Sequence, residues 1–176
     1  NILYSAYDYI KCEYIALKLE KSALKYSLLK KEYDILQDLK DILTVPKTYD
    51  YINDFSLFIS TEKFKNINIK ECIEMELLGI NISTFIKTFK YYNTILAYDI
   101  LIKSLKVIEE IHNRGFIHRD IKPTNFCFKK HDEEIIKQYY SQTILTENFI
   151  ICLIDYGLSK YQVNKINNSH RLISTD

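Results

Sequence analysis

His118-Arg119-Asp120-Ile121-Lys122-Pro123-Thr124-Asn125 is the stretch on which the reading of this chain turns. An aspartate placed like Asp120 can orient a hydroxyl and accept its proton, and Lys122, two residues on, can meet a transferring phosphate as a point charge. Asn125 would hold a metal ion. Asp120 and Asn125 can face one reaction centre only if the residues between them fold into a compact loop, which Pro123 stiffens; a helix would put them on different faces.

A lone His-Arg-Asp tripeptide is commonly no more than a surface cluster of charges. Here it follows a long amphipathic stretch and precedes the strand-like Phe126-Cys127-Phe128. About thirty residues later a second acid stands in Asp155-Tyr156-Gly157, after an apolar run. Several motifs therefore agree in type and in order. The segments FIHRDIKPTNF (116–126) and LIDYGLSK (153–160) resemble the protein kinase superfamily, and within it the casein kinase 1 group, including the tau-tubulin kinases. Phe126 directly after Asn125 is the clue to the group. Met75-Glu76-Leu77-Leu78-Gly79 looks like that group's hinge, and Tyr156 is similar to the vaccinia-related kinases of the same group.

Composition agrees with a globular chain that could bury one good core or two small lobes: 47% of its 176 residues are hydrophobic and 27% charged. A formal net charge of +1 gives no field that would argue for nucleic acid or an anionic membrane. Cys12, Cys72, Cys127 and Cys152 form no C-x-x-C pair and do not cluster with histidines, so reduced thiols are expected and a zinc site is not. No apolar run approaches the length of a membrane span and no charged-then-apolar leader opens the chain, so a soluble, intracellular protein is expected.

Taken in order, Asn1 to Tyr7 alternates enough to be a strand. Glu13 to Glu20 reads as another, with Ile15, Leu17 and Leu19 on one face and Ala16 and Lys18 on the other. By composition alone Lys18 would be a solvent-facing strand lysine. From Ser22, a possible cap, to Lys40 the residues Leu28, Leu29, Ile35, Leu36 and Leu39 recur at helical spacing. Glu32 lies inside that stripe. Burying a carboxylate costs several kcal/mol unless it is paired, so Glu32 calls for a cation, and Lys18 is the candidate. Glu32 at the edge of the stripe, solvated, is the alternative.

Strands are expected over Thr44 to Asn53 and Cys72 to Leu77, joined by a polar excursion, Phe55 to Lys70. Ile82 to Lys87 reads as a short helix. Thr94 to Asn113 reads as a longer one, with Tyr98, Leu101, Ile102, Leu105, Ile108 and His112 along its core face and Gly115 placed to end it. His112 is a helix-terminal histidine near favourable dipole charge. Asn125 to Lys129 and Phe149 to Ile154 read as short strands around a long insertion, Lys130 to Asn148.

The resemblance implies an α+β, bilobal protein-kinase-like fold. Residues 1–78 would form the small β-sheet lobe with one long helix, and 79–176 the first part of a mainly helical large lobe. It implies transfer of the γ-phosphoryl group of ATP to a Ser or Thr hydroxyl of a protein substrate. Lys18, set by Glu32, would reach the phosphates; Ala16 would leave room for adenine; Met75 would guard the back of its pocket. The backbone of Glu76 to Leu78 would hydrogen-bond the base, and Cys127 would form its floor. Asp120 is the implied base, and Lys122 the residue that meets transition-state charge. Asn125 and Asp155 would hold Mg²⁺, Tyr156 would pack under the Glu32 helix, and Gly157 would let the backbone turn. A pseudokinase scaffold and a small-molecule phosphotransferase of kinase-like fold are the rival classes. Neither a glycine-rich loop nor an activation-segment terminus occurs in these residues, so the chain is expected to be truncated at both ends. Residues 1–176 alone are then expected to show no measurable transfer to casein and to bind hydrophobic dyes.

Overall fold

The computed structural model describes residues 2–21, 27–54, 69–88, 94–129 and 149–162. Four strands form an antiparallel sheet in the order β1-β2-β4-β3, where β1 is Ile2–Asp8, β2 Glu13–Lys21, β3 Thr48–Ile52 and β4 Ile69–Glu76. The sheet has two apolar faces because the side chains of each strand alternate. On one face Leu19, Ile69 and Cys72 pack with Ile2, Tyr4, Leu17 and Ile52. On the other, Ala16, Ile73 and Met75 belong to the main core together with helix α1, Leu28–Asp38. Register sets Ala16 opposite Met75 and Lys18 opposite Ile73, so Lys18 points from this second face toward α1.

Helix α1 starts later than its sequence pattern suggests. Ser22 lies outside the described residues, and the cap is Ser27, whose hydroxyl oxygen accepts from the Lys30 N–H at 2.8 Å. Starting there turns Leu29, Glu32, Ile35 and Leu36 inward and leaves Leu28 41% exposed, which corrects its place in the buried stripe. The strand expected over Thr44 to Asn53 is confined to β3. Ile69 and Lys70 belong to β4, so the polar excursion is shorter than expected; 55–68 lie outside the described residues.

Beyond β4 the chain forms α2, Ile82–Thr88, capped by Asn81 through its side-chain oxygen and the Thr84 N–H, then α3, Thr94–Asn113. Gly115, at φ +80, ends α3 as expected and donates its N–H to His112 O at 2.8 Å. Two small ladders follow. Strand β5, Phe116–Ile117, pairs with β8, Lys160–Tyr161, while β6, Phe126–Phe128, pairs with β7, Ile151–Leu153. Phe128 meets Phe85 and Phe149 edge to face, with ring centroids 5.2 and 5.7 Å away, and so binds α2 to the second ladder. The insertion 130–148 and residues 163–176 lie outside the described residues.

The core face expected for α3 is not the one observed. Tyr98, Leu101, Ile102 and Leu105 are each at least half exposed and His112 is exposed; Ile108 is only partly buried. Leu96, Ile100, Ser104, Val107 and Ile111 face the core. Apolar residues occupy both sides of this helix, so a helical period is satisfied by either stripe. Ser104 also interrupts the true stripe; its hydroxyl donates back to Ile100 O at 2.8 Å, which lets a polar residue be buried there.

The position of α1 gives a direct check. Leu29→Ala should destabilise the fold by about 2–5 kcal/mol, whereas Leu28→Ala should change stability by no more than about 0.5 kcal/mol. Urea unfolding of the two variants reads the difference, and equal losses would place the buried face of α1 elsewhere.

Candidate active site

A cleft of about 290 Å³ opens where the four-stranded sheet meets β6 and β7. Ile2 and Leu3 of β1 cover it, Ala16 and Met75 line it from the sheet, Leu77, Leu78 and Gly79 form its outer wall, and Cys127 lies on the β6 side. Lys18, Glu32 and Asp155 stand at its polar end. Every residue expected to touch a nucleotide base thus lines one cavity, including Glu76.

Lys18 Nζ lies 2.6 Å from both oxygens of Glu32 and 2.9 Å from Asp155 Oδ1. The first contact ties β2 to α1; the second reaches the chain after β7. Glu32 Oε1 also accepts the Tyr156 N–H at 3.3 Å, so one buried carboxylate orients the lysine and the backbone following Asp155. Burial pushes the Glu32 carboxyl above the usual range, and the Lys18 ammonium opposes that shift.

The loop 118–125 is compact, as its sequence requires. Pro123–Asn125 is a single 3-10 turn, with the Asn125 N–H donating to Lys122 O at 2.9 Å. The Asn125 amide nitrogen donates to Asp120 O at 2.8 Å and to Asp120 Oδ2 at 2.9 Å. Lys122 Nζ sits 2.7 Å from the same Oδ2. These bonds, Lys122 first and Asn125 second, hold the Asp120 carboxyl below the usual range. Asp120 is therefore an ionised acceptor, better suited to orienting a hydroxyl than to removing its proton in advance. With its nitrogen so engaged, Asn125 has its amide oxygen left over among the described residues. That oxygen and the Asp155 carboxylate are the hard donors a magnesium ion accepts.

His118, which carried no assigned role in the sequence, is the post on which this loop hangs. It is buried; its Nδ1 accepts the Asp120 N–H at 3.3 Å, so the ring proton sits on Nε2, which donates to Ile154 O at 3.0 Å. Burial pushes the imidazole below its ordinary value, in keeping with this neutral tautomer. Another unforeseen feature is the buried Lys129, whose Nζ lies 3.2 Å from Glu76 Oε1. Neither contact has a local sequence signal, because each joins residues more than thirty positions apart.

The turn at 155–157 differs from expectation in one respect. Asp155, not Gly157, adopts the left-handed conformation, at φ 70 and ψ 65. At Gly157 an added Cβ would meet Glu32 Oε2 at 3.7 Å and Asp155 Oδ1 at 3.9 Å, which is ordinary contact. The unusual backbone belongs to Asp155 itself, a residue type that tolerates it, because the carboxylate must turn back toward Lys18. Tyr156 packs as expected, fully buried and edge to face with His118 at 4.9 Å.

A small sheet with one helix above a helical base, a lysine locked to a helix glutamate, and a looped Asp-Lys-Asn set accord with a protein kinase fold. The sequence profile described as poxvirus serine/threonine protein kinase matches residues 78–175, and the chain belongs to that family. It is 28% identical over 134 residues, 76% of its length, to the meiosis induction protein kinase of Saccharomyces cerevisiae, covering 20% of that protein. It is 28% identical over 166 residues, 92% of its length, to a probable casein kinase I homolog of Encephalitozoon cuniculi, covering 45% of it. A probable serine/threonine-protein kinase of Dictyostelium discoideum is 31% identical over 90% of this chain and 10% of the relative. The chain thus spans less than half the length of each of these relatives.

The Tyr156 hydroxyl is buried without a hydrogen-bond partner among the described residues, and its pKa is driven well above the ordinary value by that burial. Tyr156→Phe removes the stranded hydroxyl while keeping the ring, and should stabilise the fold by about 1–3 kcal/mol. A lower urea midpoint for the variant would show that the hydroxyl is satisfied in solution.

Proposed function

We propose that this chain supplies the nucleotide cleft and catalytic loop of a casein kinase 1-like serine/threonine kinase that transfers the γ-phosphoryl group of ATP to protein hydroxyls. The observation that carries the reading is the placement of Lys18 between Glu32 and Asp155 at the polar end of a cleft whose remaining lining is mainly apolar. An apolar slot ending in a fixed cation and an open carboxylate suits a flat base joined to a metal-bound polyphosphate. The likeness to a casein kinase I homolog and the Asn125-Phe126 pair support the branch.

In this reading residues 1–78 belong to the small lobe and 79–176 to the first part of the large lobe, and the base lies between Ala16, Met75 and Cys127 against the backbone of Glu76 to Leu78. Lys18 holds the α and β phosphates, and Glu32 keeps Lys18 extended. Asn125 and Asp155 would hold Mg²⁺, which when bound neutralises phosphate charge and polarises the bond to be broken. Asp120 accepts a hydrogen bond from the incoming Ser or Thr hydroxyl and takes its proton as the bond to phosphorus forms. Lys122, already on Asp120 Oδ2, stands beside the charge that develops.

Two variants test these roles in a chain extended to a whole kinase domain. Asp120→Asn should abolish transfer to casein while leaving Mg-ATP affinity nearly unchanged, because the lost group acts only in the transition state. A parallel loss of affinity would make Asp120 a binding residue. Glu32→Gln should lower kcat/KM by about tenfold or more, since Lys18 loses the charge that positions it. Unchanged kinetics would count against the pairing.

A further inference from the structure

Cys127 and Cys152 face each other across the β6–β7 ladder: they are direct register partners, between Phe126–Leu153 and Phe128–Ile151. Opposite residues in an antiparallel pair project to the same side, so both thiols lie on one face. That face is the cleft's. Cys127 lines the cleft, and so does Ile154, one residue past the end of β7 and two beyond Cys152, while Cys152 itself lies buried behind it. The neighbouring bonds, Ile154 N–H to Asn125 O at 2.9 Å and Lys129 N–H to Ile150 O at 3.2 Å, identify the pair type. Each lies two positions from Cys127 and Cys152, so these two residues also form a hydrogen-bonded pair, for which the Cα atoms are about 5.5 Å apart. A disulfide accepts Cα separations of about 4.4–6.8 Å.

We propose that Cys127 and Cys152 form a reversible disulfide beneath the cleft when the protein meets a peroxide. Cys127 is the residue a small oxidant reaches first, through the cleft, because Cys152 is fully buried with its Sγ toward Leu43 O at 4.0 Å. The Cys127 thiol gives up its proton, the thiolate attacks one peroxide oxygen and the O–O bond breaks, leaving a sulfenic acid and a hydroxide that takes up that proton as water. The Cys152 sulfur then attacks the sulfenic sulfur, the S–S bond forms, and the hydroxyl leaves with the Cys152 proton as a second water. Burial, which pushes the Cys127 thiol up to about 11, makes the first step slow at neutral pH.

The same geometry makes the bond labile. Hydrogen-bonded pairs keep their Cβ atoms near the wide end of about 4.5–5.5 Å, whereas a relaxed disulfide needs about 3.8 Å. Closing it must draw the two strands together at this point, and a bond strained in that way is easily reduced. It also pulls the Cys127 sulfur off the cleft floor toward β7. That consequence for nucleotide rests on the kinase reading; formation of the bond does not.

The test uses the 176-residue chain with Cys12→Ser, which removes the exposed thiol of the β1–β2 turn. After native treatment with hydrogen peroxide and alkylation, peptide mass spectrometry should find Cys127 joined to Cys152 with the loss of two hydrogens. Dithiothreitol should reverse it, and Cys152→Ser should prevent it. Alkylation of both residues after oxidation, linkage of either to Cys72, or linkage only in urea would overturn the proposal. In a chain extended to a whole kinase domain, oxidation should weaken Mg-ATP binding about tenfold or more, and the Cys152→Ser variant should not respond. A cross-link with unchanged affinity would overturn the coupling to the cleft and leave the kinase reading untouched.

Discussion

The arrangement around the cleft depends on one buried ion pair. Glu32 is 1% exposed and lies on the inward face of α1, where an unpaired carboxylate would be costly. Lys18, 9% exposed on the facing strand, answers that charge, and removing either partner from such a pair typically costs about 3–5 kcal/mol. The net stability gained by burying both is small, so the pair acts chiefly by selecting a geometry. It fixes how far α1 stands from the sheet and, through Tyr156 N–H and Asp155 Oδ1, where the chain after β7 must lie.

The lower half of the site is set by backbone geometry more than by charge. Arg119 and Asp155 both adopt left-handed conformations, at φ 69 and φ 70, the first next in sequence to His118 and the second next to Ile154, whose carbonyl the His118 ring bonds. The ring joins them, since it takes the Asp120 N–H on one nitrogen and gives its proton to Ile154 O on the other. Such conformations cost about 1–3 kcal/mol each unless the surroundings impose them. Here the imidazole, bonded to the Asp120 N–H and Ile154 O, and the Lys18–Asp155 contact do so. Protonating His118 would put a second N–H against that of Asp120, so the loop is best held while the ring is neutral.

Much of this was legible in the sequence, for reasons that differ by element. The loop 118–125 could be read because its chemistry is local: Asp120, Lys122, Pro123 and Asn125 constrain one another within a few residues. Glu32 could be read because a charge inside an apolar stripe needs a partner, and alternation on β2 offered Lys18. The core face of α3 could not be read. With apolar residues on both sides, what faces inward is decided by the tertiary contacts of β7 and β5, and the pattern holds no record of them. His118, Lys129 and the left-handed Asp155 were missed for a related reason. Their partners are Ile154 O, Glu76 and Lys18, each distant along the chain, and no residue type announces such a contact.

The connection between the two halves of the cleft is held as firmly as its interior. Residues 79–81 run beside β6 as a rail: Gly79 N–H donates to Phe128 O at 2.7 Å, Phe128 N–H to Ile80 O at 3.1 Å, and Asn81 bridges to Cys127. At the start of this rail Glu76 receives both the Lys47 N–H and the buried Lys129 ammonium. Lys47 precedes β3 in the small sheet, while Lys129 follows β6 in the opposite half, so the Glu76 carboxylate joins the two across the cleft mouth. An ion pair there and another at Lys18 anchor the cavity at opposite ends. The apolar residues between, Ala16, Met75 and Cys127, contribute shape but no direction.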